Sequence, residues 1–233
     1  MLDLLGAIVG MAAIAVNLTA ILTVLPLMAT QRLAFAAAAG SWVGLAIGLG
    51  AAGELTFTPA QPVPLVGVLF ATPLLVAGVL AAAVSKIRAA LLAIPMPLLI
   101  GLNAMRMLGV LFLMLASVGR LSGPFPYSAG WGDIITGALA IPLALAARQT
   151  KRPHGAIIAW NLFGTLDLFA AVGLGLTSAN GSPLQLFHVG VGSEAMQHLP
   201  FCLVPTVLVP FYLITHAIIA LQLSERRLVP QPV

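Results

Sequence analysis

Long apolar runs alternate with short connections, and the connections are basic on one side and nearly free of cations on the other. This leaves the chain few ways to fold. Each run approaches the roughly 20 residues that a helix needs to cross a hydrocarbon core. In lipid a backbone must satisfy its own hydrogen bonds, so such runs fold as helices. The spacing predicts seven spans, at roughly 4–26, 33–53, 64–84, 97–119, 134–148, 155–178 and 201–223. The fifth is short, so it stands nearly upright or begins within the loop before it. Together the spans take up almost all of residues 1–233, which predicts one all-α, polytopic transmembrane domain.

Eight of the ten Lys and Arg residues follow odd-numbered spans. Arg32 follows the first, Lys86 and Arg88 the third, Arg148, Lys151 and Arg152 the fifth, and Arg226 and Arg227 the seventh. Arg120 is the lone cation on the other side, with Asp3, Glu54, Asp133 and Glu194. The positive-inside rule then predicts an external N-terminus and a cytoplasmic C-terminus. These few cations at span ends suit anionic headgroups of the lipid bilayer rather than nucleic acid. The first run lacks a basic n-region and is too long for a cleaved signal peptide, so it is expected to stay as a helix. Ala-rich composition and short loops resemble a multi-pass protein of a bacterial inner (plasma) membrane. In that setting the Asn180-Gly181-Ser182 sequon is incidental. The single cysteine, Cys202, can form no internal disulfide.

Residues 85–96, from Ser85-Lys86-Ile87-Arg88 to Pro95, read either as an interfacial helix or as a Pro-bent lead-in to the fourth span. Gly40, Gly44 and Gly48 form a small-xxx-small ridge on the second span. That ridge serves packing within the molecule or forms a homo-oligomer seam.

Ionisable groups at membrane depth need a reason to be there. Three lie well inside the predicted spans: Arg106, Asp167 and His216. A rise of about 1.5 Å per residue puts Arg106 and Asp167 at similar heights near the midplane, and mutual pairing would remove most of their cost. Asn103 shares a face with Arg106. Asn161 lies roughly 120° around its helix from Asp167, with Gly164 between them. Asn17 and Tyr212 lie in the same half as His216. Pro205 and Pro210 should bend the last span and free carbonyls. These residues predict a polar centre that binds a small molecule or ion, with Arg106 attracting an anionic group or tuning Asp167, and Asp167 as countercharge or proton carrier. A buried polar fastening that fixes helix register is the competing explanation. His216 has no second histidine at matching depth, which argues against haem.

A second constellation lies on the predicted outer face. Ser193 could cap a short helix on which Glu194 and His198 stand at i,i+4, the spacing of two ligands to one transition metal. His188 could join them, and Asp133 could add a fourth ligand or act as the N-cap of the fifth span. Arg120 could pair with Asp133. This predicts, as an alternative, a membrane enzyme acting on a lipid-derived substrate. A non-catalytic assembly subunit is the third function class. The chain has no P-loop, dinucleotide fingerprint, nucleophile elbow, Schiff-base lysine in the last span, or voltage-sensing arginine series.

Overall fold

A computed structural model describes residues 1–58, 64–149 and 153–228. Among these residues the fold is all-helical, and seven helical segments are long and apolar enough to cross a membrane, with mean hydropathy of 1.4–2.4. The helices are α1 (Leu2–Val24), α2 (Ala29–Ala51), α3 (Leu65–Ala83), α4 (Ser85–Leu92), α5 (Met96–Leu102), α6 (Val110–Ser117), α7 (Phe125–Ala146), α8 (His154–Ser178) and α9 (Val209–Leu228). The third spanning helix, α3, stays continuous through Pro73. Lys151 and Arg152, the 59–63 turn, and the side chains of Arg226 and Arg227 lie outside the described residues.

The predicted span count holds, and the departures from it are informative. Residues 85–92 form a separate helix, α4, set off by extended backbone at Val84 and by Pro95. The fourth span is therefore not a continuous helix from residue 85. It runs Met96–Ser117 in three pieces, because Asn103–Gly109 winds as a 3₁₀ helix between α5 and α6. The change begins where the Asn103 amide donates to the Leu99 carbonyl at 2.9 Å and so competes with the backbone ladder. Seven residues is long for a 3₁₀ segment, and such a stretch inside a helix marks strain or function.

The fifth span is 22 residues, not about 15. Pro124 and Pro126 start it early, as proline does well in a first helical turn. This moves Asp133 from the predicted N-cap to the ninth residue of α7, roughly 12 Å along its axis.

The last span opens with a π-helical turn, Val204–Leu208. Pro210 has no N–H to give to the Thr206 carbonyl one turn earlier. The Trp42 indole on α2 takes that carbonyl instead, at 3.0 Å. A sequence defect in one helix thus becomes the anchor of another.

The four later spans form the core bundle, with α1, α2 and α3 arranged around it. α7 buries nine residues, whereas α2 buries three and α3 two. Arg88 bonds Glu225 at 2.7 Å at the basic end of the bundle, and Arg120 bonds Asp3 at 2.6 Å at the opposite end. Leu99, Ile100, Ala140, Ile157 and Ile219 pack the basic half. Phe112, Leu115, Leu121, Phe125 and Phe201 pack the other half. Between these two apolar plugs lies a polar layer.

Candidate functional site

Arg106 is the organising group of that layer. Its side chain is fully buried, and four neighbours on three other spans surround its guanidinium. Nε donates to Asp133 Oδ1 on α7 at 2.7 Å, and Nη2 donates to Asp167 Oδ2 on α8 at 2.5 Å. Nη1 donates to the Gly164 carbonyl at 3.2 Å and lies 3.1 Å from His216 Nε2 on α9. A planar guanidinium offers five donors in a fixed fork, which suits several acceptors in one layer.

The His216 tautomer follows from its neighbours. Asn161 Nδ2 donates to the His216 carbonyl at 3.2 Å, which turns Oδ1 toward the ring. His216 Nδ1 therefore carries the proton and donates to Asn161 Oδ1 at 2.8 Å. Nε2 is left as an acceptor for Arg106, and the imidazole is neutral. Trp160 lies against the ring at 5.1 Å between centroids.

Glycines make room for these groups. A Cβ at Gly132 would lie 1.6 Å from Asp167 Oδ1, and one at Gly164 would lie 2.6 Å from His216 Cε1. At Gly109 a Cβ would meet Asp133 Cβ at 2.6 Å. Gly130, Gly132 and Asp133, which precede the span expected at 134–148, thus form part of the interior wall of the site, while Trp131 between them is exposed.

Of the residues expected at this centre, Arg106, Asp167, His216 and Asn161 come together. Tyr212 stands beside them, and its hydroxyl accepts from Asn17 Nδ2 at 3.1 Å. Asn103 turns away, giving its amide to Leu99 and, at 3.3 Å, to Thr215 Oγ1. Sequence reasoning missed Asp133 as a member. The signal for it was the Pro124-Phe125-Pro126 helix start, which would have carried Asp133 into the span.

The second constellation does not assemble. Asp133 bonds Arg106, and Arg120 pairs with Asp3 rather than Asp133. Glu194 begins a single 3₁₀ turn, Glu194–Gln197, and His198 ends it in an extended conformation. The α-helical i,i+4 face expected for two metal ligands therefore does not form. Glu194 and His198 make a half-exposed contact at 3.9 Å. Among the described residues no three His, Cys, Asp or Glu side chains, His188 included, are grouped to hold a metal ion. Ser193 does not cap the turn; its hydroxyl donates to the Gly175 carbonyl at 2.6 Å.

Two cavities meet at Asp133. One, of about 90 Å³, lies between α3 and α8 in the half away from the basic end. The other, about 50 Å³, reaches from Gly6 and Gly10 of α1 to Arg106 and Tyr212. Phe112, Leu168, Val204 and Val209 line both, so Asp133 is the one charged side chain common to two apolar spaces.

Residues 63–224 match the family described as a domain of unknown function (DUF8737), and the chain belongs to that family. The match covers Arg106, Asp133, Asp167 and His216, while α1 with Asn17 lies outside it. No curated protein and no solved structure matches the chain.

Proposed function

We propose that this is a multi-pass membrane protein that binds and carries a small ligand or ion through the layer around Arg106, Asp133 and Asp167. The N-terminus lies outside and the C-terminus in the cytoplasm, in a membrane of the bacterial inner type. The observation that carries the reading is charge balance. One guanidinium serves two carboxylates, and the histidine beside them is neutral. With both carboxylates ionised, the cluster holds one negative charge more than positive. In hydrocarbon that surplus is expensive, so the resting site holds a compensating proton or cation. Exchange of that proton or cation is the elementary step of a carrier. A purely structural fastening would need only one carboxylate for one guanidinium.

The test is reconstitution in liposomes, with proton or cation flux read by an entrapped dye. Arg106→Ala and Asp167→Ala should each abolish flux, and Arg106→Ala/Asp167→Ala should recover part of the folding lost in the single variants. Wild-type flux in both single variants would end the proposal.

A second reading, an assembly subunit, is favoured by one surface. A Cβ at Gly40, Gly44 or Gly48 would meet nothing within 4 Å, so among the described residues this ridge packs against no other part of the chain. It is open to the helix of a second copy. Cysteine cross-linking along α2 in membranes reads this directly: a disulfide-linked dimer supports it, and monomer throughout removes it.

A further inference from the structure

The smaller cavity at the charged layer is shaped by α1. Gly6, Gly10 and Asn17 stand on one face of that helix, since steps of four and seven residues return it to within about 40°. Gly6 and Asn17 are buried, so Gly10 between them faces the bundle. A Cβ at Gly10 would nevertheless meet nothing within 4 Å. The empty space is the cavity of about 50 Å³ that Gly6 and Gly10 line together with Arg106, Asp133 and Tyr212. At roughly 10–15 Å³ per water it has room for about three waters. It is far smaller than the roughly 300 Å³ at which small-molecule pockets begin.

Arg106, Asp133 and Tyr212 are the polar side chains among the residues that line it. Asp133 Oδ1 accepts from Arg106 Nε at 2.7 Å. Asp133 Oδ2 bonds nothing among the described residues and is not sealed off, and the side chain keeps 16% exposure. The Tyr212 hydroxyl accepts from Asn17 Nδ2 at 3.1 Å, and its own hydrogen has no acceptor among the described residues. A buried water needs two to four polar partners, which this group supplies. The cavity between α3 and α8 offers water less. Besides Asp133 its polar side chains are Ser193 and Gln197. Ser193 Oγ donates to the Gly175 carbonyl, Gln197 Oε1 accepts from Phe57 N–H, and Gln197 Nε2 is sealed off. Asp167 lines neither cavity.

From these features we infer that the compensating charge is a proton, that it sits on Asp133 Oδ2, and that it exchanges with water held in the cavity beside α1. The inference rests on the charge surplus of the proposed function and names what that site carries. A hydronium ion gives its proton to the Asp133 carboxylate and leaves as water. The carboxyl is then neutral, and its Oδ1 still accepts from Arg106. Arg106 and Asp167 balance each other, and the layer has no net charge. A hard metal cation takes about six oxygen ligands. The polar side chains of the cavity offer it oxygen only from Asp133 and Tyr212, beside a guanidinium that repels it. A bound proton needs one lone pair. The charged and titratable groups around Asp133 are Arg106 on the fourth span, Asp167 on α8, and Tyr212 and His216 on α9. The α1 and α3 residues that line the two cavities bring none.

Infrared spectra of the full-length protein in liposomes at neutral pH read the proton directly. The wild type should show the carbonyl stretch of one protonated carboxyl, recognised by its shift in D2O. Asp133→Asn keeps an oxygen for Arg106 and should lose that band. Gly10→Leu puts an apolar side chain into the cavity from α1. It should keep the band and slow its shift after transfer to D2O. Proton flux is followed with an entrapped pH dye after a pH step, with permeant thiocyanate to balance charge and N-methylglucamine in place of metal cations. Flux should persist in the wild type without metal cations, vanish in Asp133→Asn and fall in Gly10→Leu.

Absence of the band from the wild type overturns the inference. So does a band that survives in Asp133→Asn, or one that exchanges in Gly10→Leu at the wild-type rate. If Asp133→Asn does not fold, the wild-type band and its exchange in Gly10→Leu still decide. Flux that depends on Arg106 and Asp167 but stops when sodium and potassium are withdrawn overturns this inference and leaves the carrier reading standing. A band that depends on Asp133 and Gly10, without any flux, does the reverse.

Discussion

At Gly132 the backbone of α7 passes so close to Asp167 that no side chain fits between them, since a Cβ there would sit 1.6 Å from Oδ1. Gly132→Ala should push the carboxylate off Arg106 and destabilise the protein by about 3 kcal/mol, at the upper end of overpacking. The clash is with one named group, so it has a specific rescue. In Asp167→Ala the space is free, and Gly132→Ala should then cost under about 0.5 kcal/mol. A double-mutant cycle of thermal or denaturant unfolding measures the coupling; additive effects would show that Gly132 is there for another reason. Arg106→Lys is the second residue-scale prediction. A lysine ammonium cannot present the planar fork that reaches Asp133, Asp167, Gly164 and His216 together. We expect loss of about 2–4 kcal/mol, near that of breaking a buried ion pair, despite the retained charge. Equal stability of the lysine variant would show that charge alone holds the site.

Among the elements, α7 and the 3₁₀ stretch Asn103–Gly109 form the most extensive contact, and glycine permits it. A Cβ at Gly137 would meet the Met107 backbone nitrogen at 2.6 Å, and one at Gly130 would meet Leu113 at 2.9 Å. Gly137→Ala should therefore destabilise by about 2 kcal/mol, because backbone cannot step aside. Gly44→Ala on α2 should be neutral or stabilise by up to about 1 kcal/mol, since alanine is the better helix former and meets nothing. Unfolding of the two variants in one detergent makes the comparison. The contrast also shows where sequence reasoning stops. Spacing makes Gly40, Gly44 and Gly48 the visible ridge, while the glycines that pack the molecule sit at irregular spacing on α7 (Gly130, Gly132, Gly137) and singly on its neighbours (Gly109, Gly164). A small-residue period is a property of one helix, but close approach is a property of two. Arg106 and Asp167 were readable as a pair because both sit deep in long apolar runs. Asp133 was not, because its run was judged by hydropathy and its helix starts at Pro124-Phe125-Pro126, in a stretch that reads as a turn. The 3₁₀ winding under Arg106 had no signal except Asn103, whose side chain bonds back to the preceding turn.

For the molecule as a whole, one arrangement satisfies both the charges and the polar layer. The seven spans put Arg32, Lys86, Arg88 and Arg148 at one end, and Asp3, Glu54, Arg120 and Glu194 at the other. The contacts Arg88–Glu225 and Arg120–Asp3 tie chain segments at these opposite ends. With α7 alone running between them, α5–α6 and α8 are parallel, which is why Arg106 and Asp167, each counted from the basic end, reach the same level. A span added or lost between them would reverse one of the two and separate the pair, so the path of α7 and the site stand or fall together. Single-cysteine labelling tests this in intact cells. With Cys202→Ala as the background, Leu186→Cys sits on an exposed loop at the acidic end and should react with a membrane-impermeant maleimide. Gln149→Cys, exposed at the basic end after α7, should react only after the cells are opened. Reaction of both in intact cells would put the two ends on one side of the membrane. The surplus charge around Arg106 would then have no bilayer to cross, and the carrier reading would lose its premise.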